Sequence, residues 1–388
     1  SRAEMNQQMF RRWRHVRADW DMKSREDLDF FLGNHFTKEE SADLSSRNQA
    51  DVPMDRISPA IDKLKSVLTA KPPVFTVLPR EDSDAKVSAV WRTILGYVWD
   101  ISDGDTQMKQ AITDYAVTGL GYLYAYIDQE SDFGRGDVKF TYVNPFRVYV
   151  PPDCRDRWFT DAEGIILSTI LTGEQVVNLY PHFPAAQNTN SMSVFTPYEA
   201  KDKDFGVQKY QILERFYPTK VPFFRVVDAK TAQETVLDEE AFTALIEDNP
   251  GAIERGLLEF EEILQNRIAV SACIGGTMLY ETVLNTDVYP LVPLPNIYTG
   301  TPYPKSHISR CKPMQKLLNR LWSLALSHAQ ASAGLKLIVP IGSVDNLEDL
   351  ERDWANPNAV IEVDTSQGEP HYPAPQPLAS EFYRLIQQ

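Results

Sequence analysis

Tyr289-Pro-Leu-Val-Pro-Leu-Pro-Asn-Ile-Tyr298, and the run from Arg310 to Ala333 that follows it, decide how this chain folds. In the first part three prolines alternate with apolar residues. Each fixes φ, removes an amide donor and pushes its predecessor out of the helical region, so the segment must be extended and cannot lie inside a sheet. It is a rigid, edge-like strap. From about Arg310 the period becomes helical, with Met314, Leu317, Leu318, Leu321, Leu324, Ala325 and His328 on one side. Pro313 then falls in the first turn, where proline is tolerated, and Gly334 is the expected stop. Such a helix is roughly 35 Å long.

Its two halves differ. Arg310, Lys312, Lys316 and Arg320 make the first half basic, whereas Leu321 to Gly334 carries no formal charge. Ser323, Ser327, Ala329 and Ser332 give that second half a small-residue surface on which another backbone can come close, which predicts neighbours on more than one side. An ordinary core helix with a solvated end has the same periodicity.

The 388 residues are 43% hydrophobic and 24% charged, enough for a sizeable core and more than one domain. No apolar run reaches the ~18 residues that cross a bilayer. The chain starts without a signal-like segment and stops at Leu385-Ile-Gln-Gln388 inside an apparent helix start, as a piece of something longer would. A formal charge of −15 is the wrong sign for a protein that grips nucleic acid with its whole surface, though it permits loose handling of DNA. Cys154, Cys273 and Cys311 lie far apart and suggest neither a disulfide framework nor a zinc site.

Along the chain, residues 1 to 32 are expected to be helical, with Met9, Trp13, Val16 and Trp20 inward and Arg11, Arg12, Arg14 and Arg17 on solvated faces. Residues 33 to 50 read as irregular. Met54 to Leu68 reads as a helix, Val74 to Leu78 as a strand, and Asp82 to Asp103 and Asp105 to Thr118 as two more helices, the last stopped by Gly119-Leu-Gly121. Tyr122 to Asp128 and Val138 to Val143 form a hairpin about Phe133 to Gly136. Strands follow at Phe146 to Val150 and Glu163 to Leu171, then a short helix at Gly173 to Leu179. Pro184 to Asp204 has the composition of a loop. Gln208 to Pro218 and Val221 to Asp228 pair as a second hairpin, Leu237 to Leu264 is helical with a break at Asn249-Pro250, and Arg267 to Ala272 pairs with Thr277 to Val283. After the long helix come a strand at Leu335 to Pro340, a helix at Leu347 to Trp354, a strand at Ala359 to Val363 and a Pro-rich link at Gly368 to Pro377.

Chemistry is sparse. Ser309-Arg-Cys-Lys312 has S-x-x-K spacing without its companion elements. Asp153, Asp156 and Asp161 crowd one turn, where a solvated, Arg-neutralised cluster is the simpler reading than a cation site. The six histidines are scattered. No nucleophile, base and orienter come together, so no active site, cofactor or metal is expected.

The order of elements is similar to that of the portal proteins of tailed bacteriophages. The similarity rests on Asp55-Arg-Ile-Ser-Pro-Ala-Ile-Asp-Lys-Leu64 with Ala70-Lys-Pro-Pro-Val-Phe-Thr-Val77, then Ile112-Thr-Asp-Tyr-Ala-Val-Thr-Gly-Leu-Gly-Tyr122, then Val143-Asn-Pro-Phe-Arg-Val-Tyr-Val-Pro-Pro-Asp153 and Asp161-Ala-Glu-Gly164. Tyr289-Pro-Leu-Val-Pro293, Gly300 and Lys312-Pro-Met-Gln-Lys-Leu-Leu-Asn319 complete it. The resemblance implies an α+β chain with a wing over 1–236, a first stem helix over 237–264, a small α/β clip over 265–306, a second stem helix over 307–333 and a return to the wing over 334–388. Crown and barrel lie outside this sequence.

It also implies a ring, usually of twelve copies, at one capsid vertex, assembled in the host cytoplasm, through which double-stranded DNA is packaged and ejected without base readout. Partners would be the terminase motor, major capsid protein, scaffold, and tail or adaptor proteins. Twelve chains at −15 would give −180, and an acidic wall lets duplex slide. On this view Lys312, Lys316 and Arg320 are DNA-channel candidates, or else pair with an acidic helix bearing Glu254, Glu259, Glu261 and Glu262. Tyr289, Ile297 and Tyr298 are candidates for an exposed docking edge, and Ser323, Ser327, Ala329 and Ser332 for the ring interface. A hydrolase of unknown substrate and a tail adhesin are the competing classes, and the scarcity of catalytic groups and of repeats disfavours them.

Overall fold

In chain order the elements are α1 (Arg2–Phe31), α2 (Lys38–Ser46), α3 (Ile57–Leu68), α4 (Ala85–Ile101), α5 (Gly104–Val117), β1 (Leu120–Asp128), β2 (Asp137–Val143), β3 (Val148–Tyr149), β4 (Ile165–Thr172), α6 (Gly173–Leu179), β5 (Lys209–Asp228), β6 (Glu234–Asp238), α7 (Glu239–Asp248), β7 (Leu258–Ile274), β8 (Thr277–Leu284), β9 (Leu291–Pro295), α8 (His307–Ala333) and α9 (Leu347–Asp353). The fold is α+β. The computed structural model describes residues 1–47, 49–79, 81, 84–183, 209–228, 234–248, 258–333, 337–353, 360–368 and 370–371. The chain divides into two compact units, one of residues 1–32 and 58–310, the other of 33–57 and 311–388.

The first unit is built on two antiparallel sheets. One has the order β2-β1-β9, and the other β3-β4-β5-β7-β8 with β6 also on β5. Alternation along β4 shows how they share a core. Ile165 and Leu167 face Leu120, Tyr122, Val270 and Leu291, joining the two sheets, while Ile166 turns the other way to meet Phe10 and Trp13 of α1. The second sheet is thus buried on both faces. The strap is an edge strand, as its prolines require: among the described residues β9 pairs only with β1, in the register Tyr122↔Pro293.

Gly119 ends α5 with φ +90°, and the added Cβ of any other residue would stand 2.7 Å from the Lys305 carbonyl carbon. Gly121 is as tightly placed, its absent Cβ 2.2 Å from the Ala111 oxygen. These glycines therefore stop a helix and let a strand, a helix and the chain before α8 crowd together.

Several expectations are corrected. Residues 33 to 50 contain α2, nucleated by a Thr37/Glu40 capping box. In place of the hairpin expected from Gln208, the described residues Lys209–Asp228 are the single strand β5, which runs unbroken through Pro218 and Pro222 against β7. Of the helix expected over Leu237 to Leu264, Glu239–Asp248 is helical and Leu258 onward is strand, where Phe260 packs at 5.1 Å from Phe242 of α7. Val74 to Leu78 is extended without a ladder, and residues 360–363 form no strand. The loop at 184–204, the break at Asn249-Pro250, the Gly334 stop and most of the Pro-rich link fall outside the described residues.

Arg17 is the clearest miss on α1. The buried stripe is Ala3, Asn6, Phe10, Trp13, Arg17 and Ser24, so Arg17 lies within the apolar seam and Val16 is exposed. Its guanidinium donates to the carbonyls of Phe146 (2.8 Å), Pro145 (3.3 Å) and Val148, pairs with Asp21 at 3.0 Å and lies 3.8 Å from the Tyr149 ring centre. A planar fork can satisfy a tight turn's carbonyls and a carboxylate together.

Candidate functional site

Helix α8 begins three residues earlier than its apolar period suggests. Ser306 is the reason: its hydroxyl accepts from the Ser309 amide at 2.9 Å and donates to Asp27 Oδ2 at 2.6 Å. Ser309 Oγ donates to the same oxygen, also at 2.6 Å. A buried carboxylate of α1 thus holds the first turn of α8, where the helix dipole favours negative charge. The Ser309 hydroxyl of the S-x-x-K spacing is bonded to the Asp27 carboxylate of α1. Pro313 is inside the helix rather than in its first turn.

In the second unit the buried face of α8 is polar. Gln315, Asn319 and Ser323 are buried, whereas Met314 and Leu317 are 69% and 50% exposed. Apolar spacing predicted the reverse. The amides turn inward because they read the main chain of the segment ahead of α3. Gln315 Nε2 donates to the Met54 carbonyl (2.7 Å) and to Asn319 Oδ1 (2.8 Å), while its Oε1 accepts from the Arg56 amide at 3.2 Å. Asn319 Oδ1 accepts from the Met54 amide at 3.2 Å, and its Nδ2 stands 3.0 Å from His35 Nδ1. His35 Nε2 is 3.5 Å from Asp55. With Asn319 donating to Nδ1, the imidazole carries its proton on Nε2, toward the carboxylate.

The basic stripe lies on the outer part of the same stretch. Lys316 and Arg320 are exposed and Lys312 is half-buried, and neither lysine is without a partner in the chain. The acidic helix proposed for them is absent in that form. Glu259, Glu261 and Glu262 are on strand β7, Glu261 lies 3.5 Å from Arg225, and Glu254 is outside the described residues.

Of the small residues, Ser323 is buried within the chain, with no hydrogen-bond partner found for its hydroxyl, and Ser327 Oγ bonds back to the Ser323 carbonyl at 2.8 Å. Ala329 is exposed, and the side chain of Ser332 is not among those described. The strap residues are more committed than an exposed docking edge would be. Tyr289 packs on the core and donates to the Ala162 carbonyl at 2.7 Å, Tyr298 donates to the Arg155 carbonyl, and Ile297 bridges to Lys305. All three are half-buried, and Val288 and Val292 carry the strap's exposed apolar surface.

The acidic turn is also spent internally. Asp161 accepts from the amides of Arg155 (2.7 Å) and Asp156 (3.1 Å), and Asp156 from those of Trp158 and Thr160. Burial raises Asp161, but the Cys154 thiol, which donates to it at 2.9 Å, and those amides outweigh it and hold the carboxyl below the usual range; at Asp156 the Thr160 amide does the same against a smaller burial effect. Among the described residues no group of acids, histidines or cysteines is gathered as metal ligands.

The model of the phage P22-like portal protein family matches residues 7–388. The chain belongs to that family. Comparison with curated proteins gives no match. As a phage portal protein the chain is a structural component of the channel at the capsid vertex of the virion, with DNA passage and with capsid, terminase and tail proteins as partners. Among its described residues, no helix is long and apolar enough to cross a membrane.

Proposed function

We propose that α8 is the second stem helix of a portal ring, usually of twelve copies, and that its outer basic positions face the passing duplex. The observation that carries this is the inverted seat of α8. Gln315 and Asn319 are turned inward and bonded, while Met314, Leu317, Lys316 and Arg320 are left outward, a distribution suited to a wall that touches other copies and DNA. Lys316 and Arg320 then contact phosphate without reading sequence, and the chain's net −15 keeps that contact weak enough for sliding.

The remaining assignments follow the same reading. Residues before 237 serve as wing, α7 stands where the first stem helix was expected, 265–306 serve as clip, and 334–388 return to the wing. The strap docks the terminase motor and then the tail adaptor, through Val288 and Val292 and the accessible parts of Ile297 and Tyr298. Scaffold and major capsid protein meet the ring during assembly in the host cytoplasm, and hydrolysis belongs to the motor rather than to this subunit.

The test is Lys316→Ala with Arg320→Ala in a packaging system. Rings should form with unchanged stability, while DNA translocation or retention changes. Lower ring stability at low salt would mean that the bases pair with acids instead, and no change in either would remove the stripe from the mechanism.

A further inference from the structure

Strand β7 changes surroundings partway along. It pairs with β5 in one register from Ile212↔Ile274 to Asp228↔Leu258, but β4 stops at Phe216 and β8 reaches only to Ile268. The rungs from Thr219↔Arg267 outward therefore form an arm, about 30 Å long at ~3.3 Å per residue. β6 takes the far edge of β5 there, over Phe223 to Val227, and α7 lies on one face, where Phe242 stacks on Phe224 with ring centres 4.0 Å apart. The remaining edge is β7 itself, and over Leu258 to Arg267 it pairs, among the described residues, with β5 alone.

Which main-chain groups that edge presents follows from its neighbours. The Ile268 amide donates to the Thr286 carbonyl at 2.9 Å, so Ile268 turns its N–H and C=O away from β5. Direction alternates along a strand, and therefore Phe260, Glu262, Leu264 and Asn266 turn theirs outward as well. The prolines of β5 agree. Pro218 and Pro222 stand opposite Ile268 and Leu264, at rungs where neither strand donates to the other. Four residues with outward donors and acceptors are a template for an incoming strand.

Side chains beside the edge select the occupant. Phe260 and Leu264, 47% and 59% exposed, point to the face that carries α7, while Glu259 and Glu261 point to the other, Glu261 within 3.5 Å of Arg225. The described residues of the arm, 219–228, 234–248 and 258–267, hold ten acids against three bases. Two such edges repel one another, and an acidic strand is refused for the same reason. A strand that alternates lysine or arginine with aliphatic residues instead sets its bases beside Glu259 and Glu261 and its apolar side chains beside Phe260 and Leu264. We infer that the free edge of β7 takes an extended, alternately basic and apolar segment of a partner protein as an additional strand of the arm. Main-chain pairing supplies the attraction, and charge chooses the partner.

The probe is a fluorescein-labelled short peptide of alternating lysine and valine, read by anisotropy against the purified chain, beside a peptide of the same charge that alternates lysine with proline and cannot add as a strand. The valine peptide should bind, and the proline peptide should bind about tenfold more weakly or not at all. Leu264→Pro removes a donor from the open edge and none from the ladder with β5, so it should weaken the valine peptide about tenfold with unchanged circular dichroism. If it costs strand signal, Asn266→Pro replaces it. Glu259→Lys/Glu261→Lys should weaken binding by a similar factor. No binding of the valine peptide, equal binding of both peptides, or full binding by the proline variants would overturn the inference. So would a change of copy number in Leu264→Pro by mass photometry, since a second copy of the chain would then be the occupant.

Discussion

Arg17 and Asn319 hold the two units' most specific contacts, and each is a polar residue placed where an apolar one would have left main-chain groups unpaired. Arg17→Met keeps the stem of the side chain but strands three carbonyls and Asp21. A loss of about 3 kcal/mol in urea unfolding is expected, the scale of breaking a buried pair. Asn319→Leu leaves the Met54 amide and Gln315 short of a partner and should cost about 1–3 kcal/mol. A neutral result for either would mean that water replaces the bonds. The tyrosines set the alkaline limit. Burial pushes Tyr303 up to about 12, and burial with the nearby Glu214 carboxylate does the same for Tyr124. A phenol whose folded value is raised keeps its proton after the unfolded chain has lost it. Its stability is full below the ordinary ~10 and drains as pH rises toward 12. Melting temperature should therefore fall through that window, and Tyr303→Phe should flatten the fall.

At the scale of elements, what could be read from the chain depended on whether local pattern or tertiary pairing decides. The hairpin of β1 and β2, the hairpin of β7 and β8, the stop at Gly119 and the edge position of the strap were legible, because turn residues and proline act locally. β5 and the first half of β7 were not: Pro218 and Pro222 looked like a turn, and Leu258 to Leu264 continued an apparent helical period until pairing with β5 overruled it. On α8 the apolar period marked the helix but gave the wrong inner face, since amides bonded to Met54 and Arg56 outweigh leucine burial there. The Ser306 cap was available as a signal and was missed. Of the expected interface serines, Ser323 is already buried in its own chain. Ala329 is exposed, and Ala329→Arg should raise the concentration needed for assembly at least tenfold in light scattering if that face meets another copy. Unchanged assembly would remove the second half of α8 from the interface.

For the whole molecule, family membership makes the chain a part of the phage portal. Asp156 and Asp161 cap their own turn, Ser309 anchors the start of α8, and surplus negative charge suits a wall past which DNA slides. Among the described residues apolar surface is left open on α4 and on α8, and the proposed ring would cover it with other chains. The most direct test of that account is a negative-stain electron micrograph of the purified chain. Closed rings of uniform copy number around a central hole are expected. Monomers alone, at every concentration tried, would contradict it.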